Sequence, residues 1–274
     1  MKDFVIVNGE KCIGCGSCVL DCISKIISLE EDVAVIKDFT NCIKCGHCGA
    51  VCPVNAISYQ DSDYDVNVEE FGKNMWEIGF EQLDAFVKMK RSCRQYKKKP
   101  IEKAKMDAIM RIGQISPTGG NRQPLKFVVV DSPDKIEELK LLAMKTLFDV
   151  GQNTEGRYGK VFRSILDNYL ATGYDRLFYN APFVIIIYGD PNTSHTTQVD
   201  AGIAGGQMTL IAETLDLGSC FVGYLKTAAE NSNEIYEFLG IPEGHQMIAN
   251  IIVGYPDVRY FRSVPRQKLD VKFC

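Results

Sequence analysis

Eight cysteines fall within the first 52 residues, at Cys12, Cys15, Cys18, Cys22, Cys42, Cys45, Cys48 and Cys52. They form two C-x2-C-x2-C-x3-C runs, and a shift of 30 residues superposes them. The same shift carries Ile13 onto Ile43, Gly16 onto Gly46, Ile27 onto Ile57 and Ser28 onto Ser58. The segment is therefore an internal repeat that duplicates the thiols together with apolar positions behind them. Thiols clustered in this way would be disulfides in a small secreted chain. The only apolar stretch near the start is Phe4 to Val7, too short for a secretory leader's core of about 7–15 residues. The reading is a cytoplasmic chain whose clustered thiols bind metal or do redox work.

The spacing suits iron and sulfur. Three thiolates two residues apart can wrap one face of a cuboidal cluster while the loop turns its N–H groups toward the sulfides. Gly16 and Gly46 let the backbone come close. The fourth cysteine begins a short helix and cannot return to the same cluster. A zinc site would instead take four ligands as two pairs. Residues 1–60 resemble the bacterial two-cluster ferredoxin module. That resemblance implies two [4Fe-4S] clusters with exchanged fourth ligands: Cys12, Cys15 and Cys18 with Cys52, and Cys42, Cys45 and Cys48 with Cys22. Pro53 follows the second run as in that module, whereas Ile23 follows the first. Cys93, Cys220 and Cys274 have no such spacing and read as packing residues or free thiols. His47, His195 and His245 are scattered, which supports neither a zinc site nor a His-based triad.

At 274 residues the length suggests roughly two domains, at about 150 residues each. Net charge is −4, which argues against a nucleic-acid partner. The longest apolar runs, 183–188 and 248–255, fall far short of the ~20 residues of a membrane span. The expected division is a domain over 1–60, a linker over 61–76 rich in acids, and a larger domain over 77–274. Residues 1–75 hold 6 Lys+Arg against 12 Asp+Glu; the remainder holds 25 against 23. An acidic front thus precedes a weakly basic body suited to an anionic cofactor.

In the body, helical apolar spacing runs over 77–90, 101–115 and 200–217, and short strand-like runs cover 126–130, 183–188 and 249–253. This predicts an α+β layer fold. Gly202, Gly205 and Gly206 lie inside the third helix, where close packing against another helix, a partner subunit's included, is the simplest explanation. Residues 131–180 read as helical and polar, with 151–160 as a mobile loop.

Three segments carry the second signal: Lys90-Arg91-Ser92-Cys93-Arg94-Gln95-Tyr96, Ser116-Pro117-Thr118-Gly119-Gly120-Asn121-Arg122-Gln123-Pro124, and Gly254-Tyr255-Pro256 followed by Arg262 and Arg266. In this order, with Leu217-Gly218-Ser219-Cys220 between the last two, they resemble the nitroreductase-type FMN oxidoreductases over about residues 80–268. The residue types suit FMN. Arg91 and Ser92 offer a fork and a hydroxyl to a phosphate, and Arg266 and Arg262 are further cations for that group. Asn121 and Gln123 can match the ring's donor and acceptor edge. The resemblance places Arg94 beside the ring's pyrimidine edge, where a cation favours the reduced anion, and Val222 and Gly223 beside N5.

The two resemblances together imply a mixed sheet flanked by helices, preceded by the small two-cluster domain. They imply an enzyme in which electrons from ferredoxin or another one-electron donor pass through the clusters to FMN. The acceptor is then a small electron-poor molecule of nitroaromatic or quinone type, and no side chain need act as acid or base. A homodimer with FMN between subunits is part of the same expectation. Two alternatives stand beside it: NAD(P)H as donor with the clusters as relay, or an electron-transfer adaptor without a substrate of its own.

Overall fold

The computed structural model describes residues 4–66, 68–71 and 77–274. Part of the expected linker, residues 67 and 72–76, lies outside the described residues. The chain divides into two compact units: Met1–Glu77 with Gly120–Arg122, and Ile78–Gly119 with Gln123–Cys274.

In the first unit the repeat reaches down to the backbone. Gly14 and Lys44 share a positive φ (66° and 53°), as do Gly16 and Gly46 (73° and 75°) and Lys25 and Asn55 (53° and 50°). The turns on both sides of each cysteine run are therefore the same turns. Strand β1 (Val5–Val7) pairs antiparallel with β4 (Ile57–Tyr59), and β2 (Ile27–Glu30) with β3 (Val33–Ile36). Thus the last strand of the second half returns to the first strand of the first half and closes the unit. Short helices α1 (Ser17–Asp21) and α2 (His47–Ala50) each start just after a left-handed glycine, Gly16 or Gly46, so the fourth cysteine of each run, Cys22 or Cys52, follows its helix rather than beginning one. The core is small: Phe4, Val5, Ile26, Ile27, Ala34 and Ile57 bury with Cys18 and Cys48.

The second unit is built on the sheet β5-β6-β8-β7, with β5 Leu125–Val130, β6 Phe183–Gly189, β7 Gly218–Phe221 and β8 Gln246–Gly254. These strands pair antiparallel; the parallel element is a single bridge between Ser92 and Ser219 at the β7 edge. Both faces are covered, so central β6 reads as a continuous apolar run rather than an alternating one. Phe183, Ile185 and Ile187 pack with Ile109 of α4 (Lys103–Ile115) and with Met208 and Ala212 of α7 (Thr197–Thr214). Val184 and Ile186 face the other way, toward Leu139, Met144 and Leu147 of α5 (Pro133–Gln152), Ile165 of α6 (Gly156–Thr172) and Leu225 of α8 (Gly223–Ala229). A short α9 (Asn233–Leu239) precedes β8, and an exposed α3 (Phe80–Met89) precedes the sheet.

Two expectations change. The stretch 151–160 is mostly helix: α5 ends at Gln152 and α6 begins at Gly156, with only 153–155 between them. Gly159, which suggests a loop by composition, sits against the Thr154 carbonyl, where a Cβ would come within 1.8 Å. In α7 the close approach is to a strand rather than a helix. A Cβ on Gly205 would lie 2.6 Å from the Phe221 ring, while Gly202 and Gly206 face open space.

Candidate functional site

The first unit has two cysteine-lined cavities. One is lined by Cys12, Cys15, Cys18 and Cys52. The other is lined by Cys42, Cys45, Cys48 and Cys22. Each gathers three cysteines of one run and the last cysteine of the other. The donor set fits a four-iron cluster in each cavity. Backbone N–H groups already aim at sulfur: Ala34 N–H donates to Cys12 Sγ at 3.5 Å and Ala56 N–H to Cys52 Sγ at 3.2 Å. The Ser17 hydroxyl beside Cys15 holds that thiol below its ordinary value. Burial pushes the Cys48 thiol up to about 11, against the Gly49 backbone N–H, which draws it back. Burial likewise raises the Cys18 thiol. Thiolates in such surroundings need the positive charge of bound iron to stay ionised.

In the second unit the opening segment lies along β7. Cys93 N–H donates to Ser219 O at 2.9 Å. The Gly254-Tyr255-Pro256 end joins the same strip: Tyr96 bridges Pro256, Lys97 N–H donates to Tyr255 O, and Asp257 N–H donates to Gln95 O. The glycines in these motifs are there for packing. A Cβ on Gly218 would lie 2.8 Å from Cys93, and one on Gly254 would lie 2.7 Å from the Tyr96 ring. Tyr96 in turn donates its hydroxyl to Cys93 O. Three separated stretches of sequence are thus locked side by side.

On this strip Arg91 has an incomplete set of partners. Its Nη atoms donate to the Lys88 and Lys90 carbonyls, its buried Nε has no acceptor, and among the described residues no carboxylate pairs with it. A half-buried guanidinium in that state fits an anion such as a phosphate. Exposed Ser92 follows it. Exposed Arg94 lies with its guanidinium 6.0 Å from the centre of the Tyr179 ring. Val222 is buried and precedes α8; its N–H donates to Asn250 O. Gly223 opens that helix with nothing over its Cα, so its backbone is open to approach. Ser219, absent from the expected set, is fully buried with an unpartnered hydroxyl. Lys90 and Glu213 are half-buried and attract each other, and burial lowers the first and raises the second. Neither Ser219 nor Glu213 could be found from local pattern, since each matters only through the fold.

The turn 116–124 is elsewhere. It leaves the far end of α4, a helix about 20 Å long whose near end follows the opening segment. Gly119 N–H donates to the buried Asp200 carboxylate of α7 at 3.0 Å, and Ser116 Oγ donates to Gln207. Gln123 is exposed at φ 47°, its N–H donating to Thr118 Oγ1. Asn121 belongs to the first unit, where its amide donates to the Ile43 and Lys44 carbonyls, both at 3.0 Å. Within the second unit, among the described residues, no hydrogen bond joins Gln123 to Arg91, Ser92 or Arg94. Arg262 and Arg266 lie exposed after β8, and Arg266 donates only to its neighbour Pro265.

A domain with two four-thiol cavities ahead of this layered body defines an oxidoreductase with its own iron–sulfur domain. The nitroreductase family profile matches residues 87–255, and a 4Fe-4S dicluster domain profile matches residues 11–56. The chain belongs to the nitroreductase family, with an N-terminal 4Fe-4S dicluster domain. A relative from Archaeoglobus fulgidus, provisionally named an NADH dehydrogenase/NAD(P)H nitroreductase, is 24% identical over 180 residues, 64% of this chain and 86% of its own. Iodotyrosine deiodinase from Thermotoga neapolitana is 21% identical over 171 residues, covering 62% and 87%. A nitroreductase with bound FMN from Desulfitobacterium hafniense superposes with a TM-score of 0.58 at 24% identity, covering 71% of this chain and all of that one. A second, from Bacteroides fragilis, gives 0.58 at 21% identity, covering 70% and 99%. At these identities the solved structures establish the fold. Among the described residues no helix is long and apolar enough to cross a membrane.

Proposed function

We propose that the protein passes electrons from a one-electron donor of ferredoxin type, by way of two [4Fe-4S] clusters, to FMN in the second unit, where a small electron-poor acceptor of nitroaromatic or quinone type is reduced. The observation that carries this reading is the pair of cavities, each lined by four cysteines drawn from both runs, ahead of a nitroreductase body. When bound, the clusters supply one-electron transfer and FMN the junction between one-electron and two-electron chemistry.

The chain's own residues supply binding and electrostatics. The eight thiolates hold the clusters, with Ala34 and Ala56 N–H groups turned toward sulfur. Arg91 offers a buried, unpaired Nε to a phosphate, and Ser92 adds a hydroxyl beside it. Arg94 sets a cation where negative charge grows on reduction, and the open Gly223 backbone leaves room for a flat ring. Arg262 and Arg266 are free to close on the site from the segment after β8. Gln123 and Asn121 complete it only if a second copy of the chain brings them. A homodimer is therefore part of the proposal. It is supported by the exposed Val199 and Ile203 beside open Gly202 and Gly206 on α7. A cytoplasmic location belongs to it too, since eight free thiols need a reducing compartment.

The name of the Archaeoglobus relative favours a second reading, in which NAD(P)H is the donor. Anaerobic purification with iron, sulfide and flavin counts, followed by comparison of reduced ferredoxin, NADH and NADPH, tests both. The proposal expects about eight irons and one FMN per chain, with ferredoxin the fastest donor. A chain without iron, or one reduced only by nicotinamide, overturns it.

A further inference from the structure

Between α6 and β6 the chain turns through two residues in a conformation that side chains disfavour. Tyr179 and Asn180 are both left-handed, at φ 55° and 58°. Consecutive non-glycine residues in that region are costly and persist only where the surroundings hold them. Here the hold is the buried Asp175 carboxylate. Its Oδ1 accepts from Leu177 N–H at 2.9 Å and from Phe178 N–H at 2.8 Å, and its Oδ2 accepts from Asn180 N–H at 3.0 Å. Buried Lys140 of α5 stands 3.5 Å from the same carboxylate and 2.7 Å from Glu137, so the charge inside is paired. Leu177 and Phe178 are sunk in the core. Tyr179, next in sequence, stays half-buried, and the Arg94 guanidinium lies 6.0 Å from the centre of its ring. Arg94 has little else to hold it. Its Nη1 reaches the Ser92 carbonyl only at 3.5 Å, and among the described residues no carboxylate pairs with it.

We infer that Tyr179 is a positioning residue for Arg94, and that Asp175 is what sets Tyr179. An exposed arginine is otherwise spread over many rotamers. A ring face attracts the guanidinium and narrows that choice to the rotamers that keep it on the ring. A cation ordered in advance stabilises charge that appears beside it better than one that must first be ordered. The hold therefore runs from Lys140 and Asp175 in the core, through the left-handed turn and the Tyr179 ring, to Arg94. The ring face acts in this role, and the Tyr179 hydroxyl is dispensable. The inference rests on the reading that FMN lies beside Arg94.

The test is a titration of the intact, FMN-loaded chain with sulfite, followed by loss of the flavin's visible absorbance. Sulfite gives its sulfur lone pair to ring N5, the N5–C4a π pair moves toward the pyrimidine edge, and no electron carrier is consumed. The adduct thus puts negative charge where Arg94 would meet it, without turnover. Arg94→Ala should weaken sulfite binding most. Tyr179→Leu should weaken it about three- to fivefold, the size of a cation–π contact at an exposed site. Tyr179→Phe keeps the ring and should match the wild type. In the Arg94→Ala background Tyr179→Leu should add no further loss. Asp175→Asn, which sets an amide N–H2 where a carboxylate oxygen accepts from Asn180, should weaken sulfite binding in the same direction. Unchanged affinity in Tyr179→Leu, an equal loss in the Arg94→Ala background, or a flavin-loaded wild type that forms no adduct overturns this inference alone. Should Tyr179→Leu not retain FMN, the same readings on Asp175→Asn decide. A wild-type chain that holds no FMN overturns the proposed function and this inference with it.

Discussion

Cys12 and Cys52 lie far apart in sequence and line one cavity, whereas Ser92 and Gln123 are closer in sequence and stay at opposite ends of α4. The first unit closes its sites within one chain because its halves are copies. Each run lines one cavity with three cysteines and sends its fourth to the other. The second unit has no such symmetry. Its sheet edge gathers Arg91, Ser92, Arg94, Ser219 and Gly223, and the buried Asp200 holds the 116–124 turn away from them. A duplicated unit can be complete alone; in the proposed function the unduplicated one is completed by a second copy of the chain.

The largest effect should come from breaking the closure of the first unit. The double variant Cys15→Ala with Cys52→Ala removes two ligands from one cavity if the ligands are exchanged. It should then keep about four of about eight irons. Were each run to hold its own cluster, the same pair would damage both, and iron analysis would show little left. Next in size is Arg91→Ala in the second unit. A charge-assisted hydrogen bond is worth about 1.5–3 kcal/mol, so FMN should bind roughly ten- to hundredfold more weakly by fluorescence titration, with iron content unchanged. Unaltered flavin affinity would remove Arg91 from the site.

Smaller again is Gly254→Ala, which drives a methyl into the Tyr96 ring. Overpacking of this kind costs about 1–3 kcal/mol, and calorimetry should show the second unit melting several degrees lower. The smallest concerns Glu102, held down to about 2 from 4.5 chiefly by the Tyr255 hydroxyl. A carboxyl depressed on folding contributes stability fully above its ordinary value and loses it as pH falls through the folded one. Between about pH 4.5 and 2 the wild type should therefore lose slightly more stability than Tyr255→Phe. Parallel acid curves for the two proteins would show the tie to be idle.

The cysteine spacing makes the first unit legible because ligand geometry leaves few other solutions. Most helices and strands of the second unit can also be read, since 101–115 and 183–188 carry clear periodicity. What cannot be read depends on contacts between distant residues. The glycine of Gly254-Tyr255-Pro256 is set by Tyr96, and Gly205 by Phe221. The 151–160 stretch has a loop's composition, yet Gly151 is a site of close approach between α5 and α6, and Gly159 packs against the Thr154 carbonyl. Tyr59 looks like an ordinary strand aromatic, yet its hydroxyl lies 2.0 Å from where a Cβ at Gly49 would be.

The proposed function requires that electrons reach the second unit through the first. Cys45→Ala should damage one cluster and leave FMN in place. In that flavin-loaded variant, stopped-flow reduction of the flavin by reduced ferredoxin should slow sharply relative to the parent. An equal rate in the two proteins would contradict the claim and leave the cysteine-rich unit a role in stability or docking.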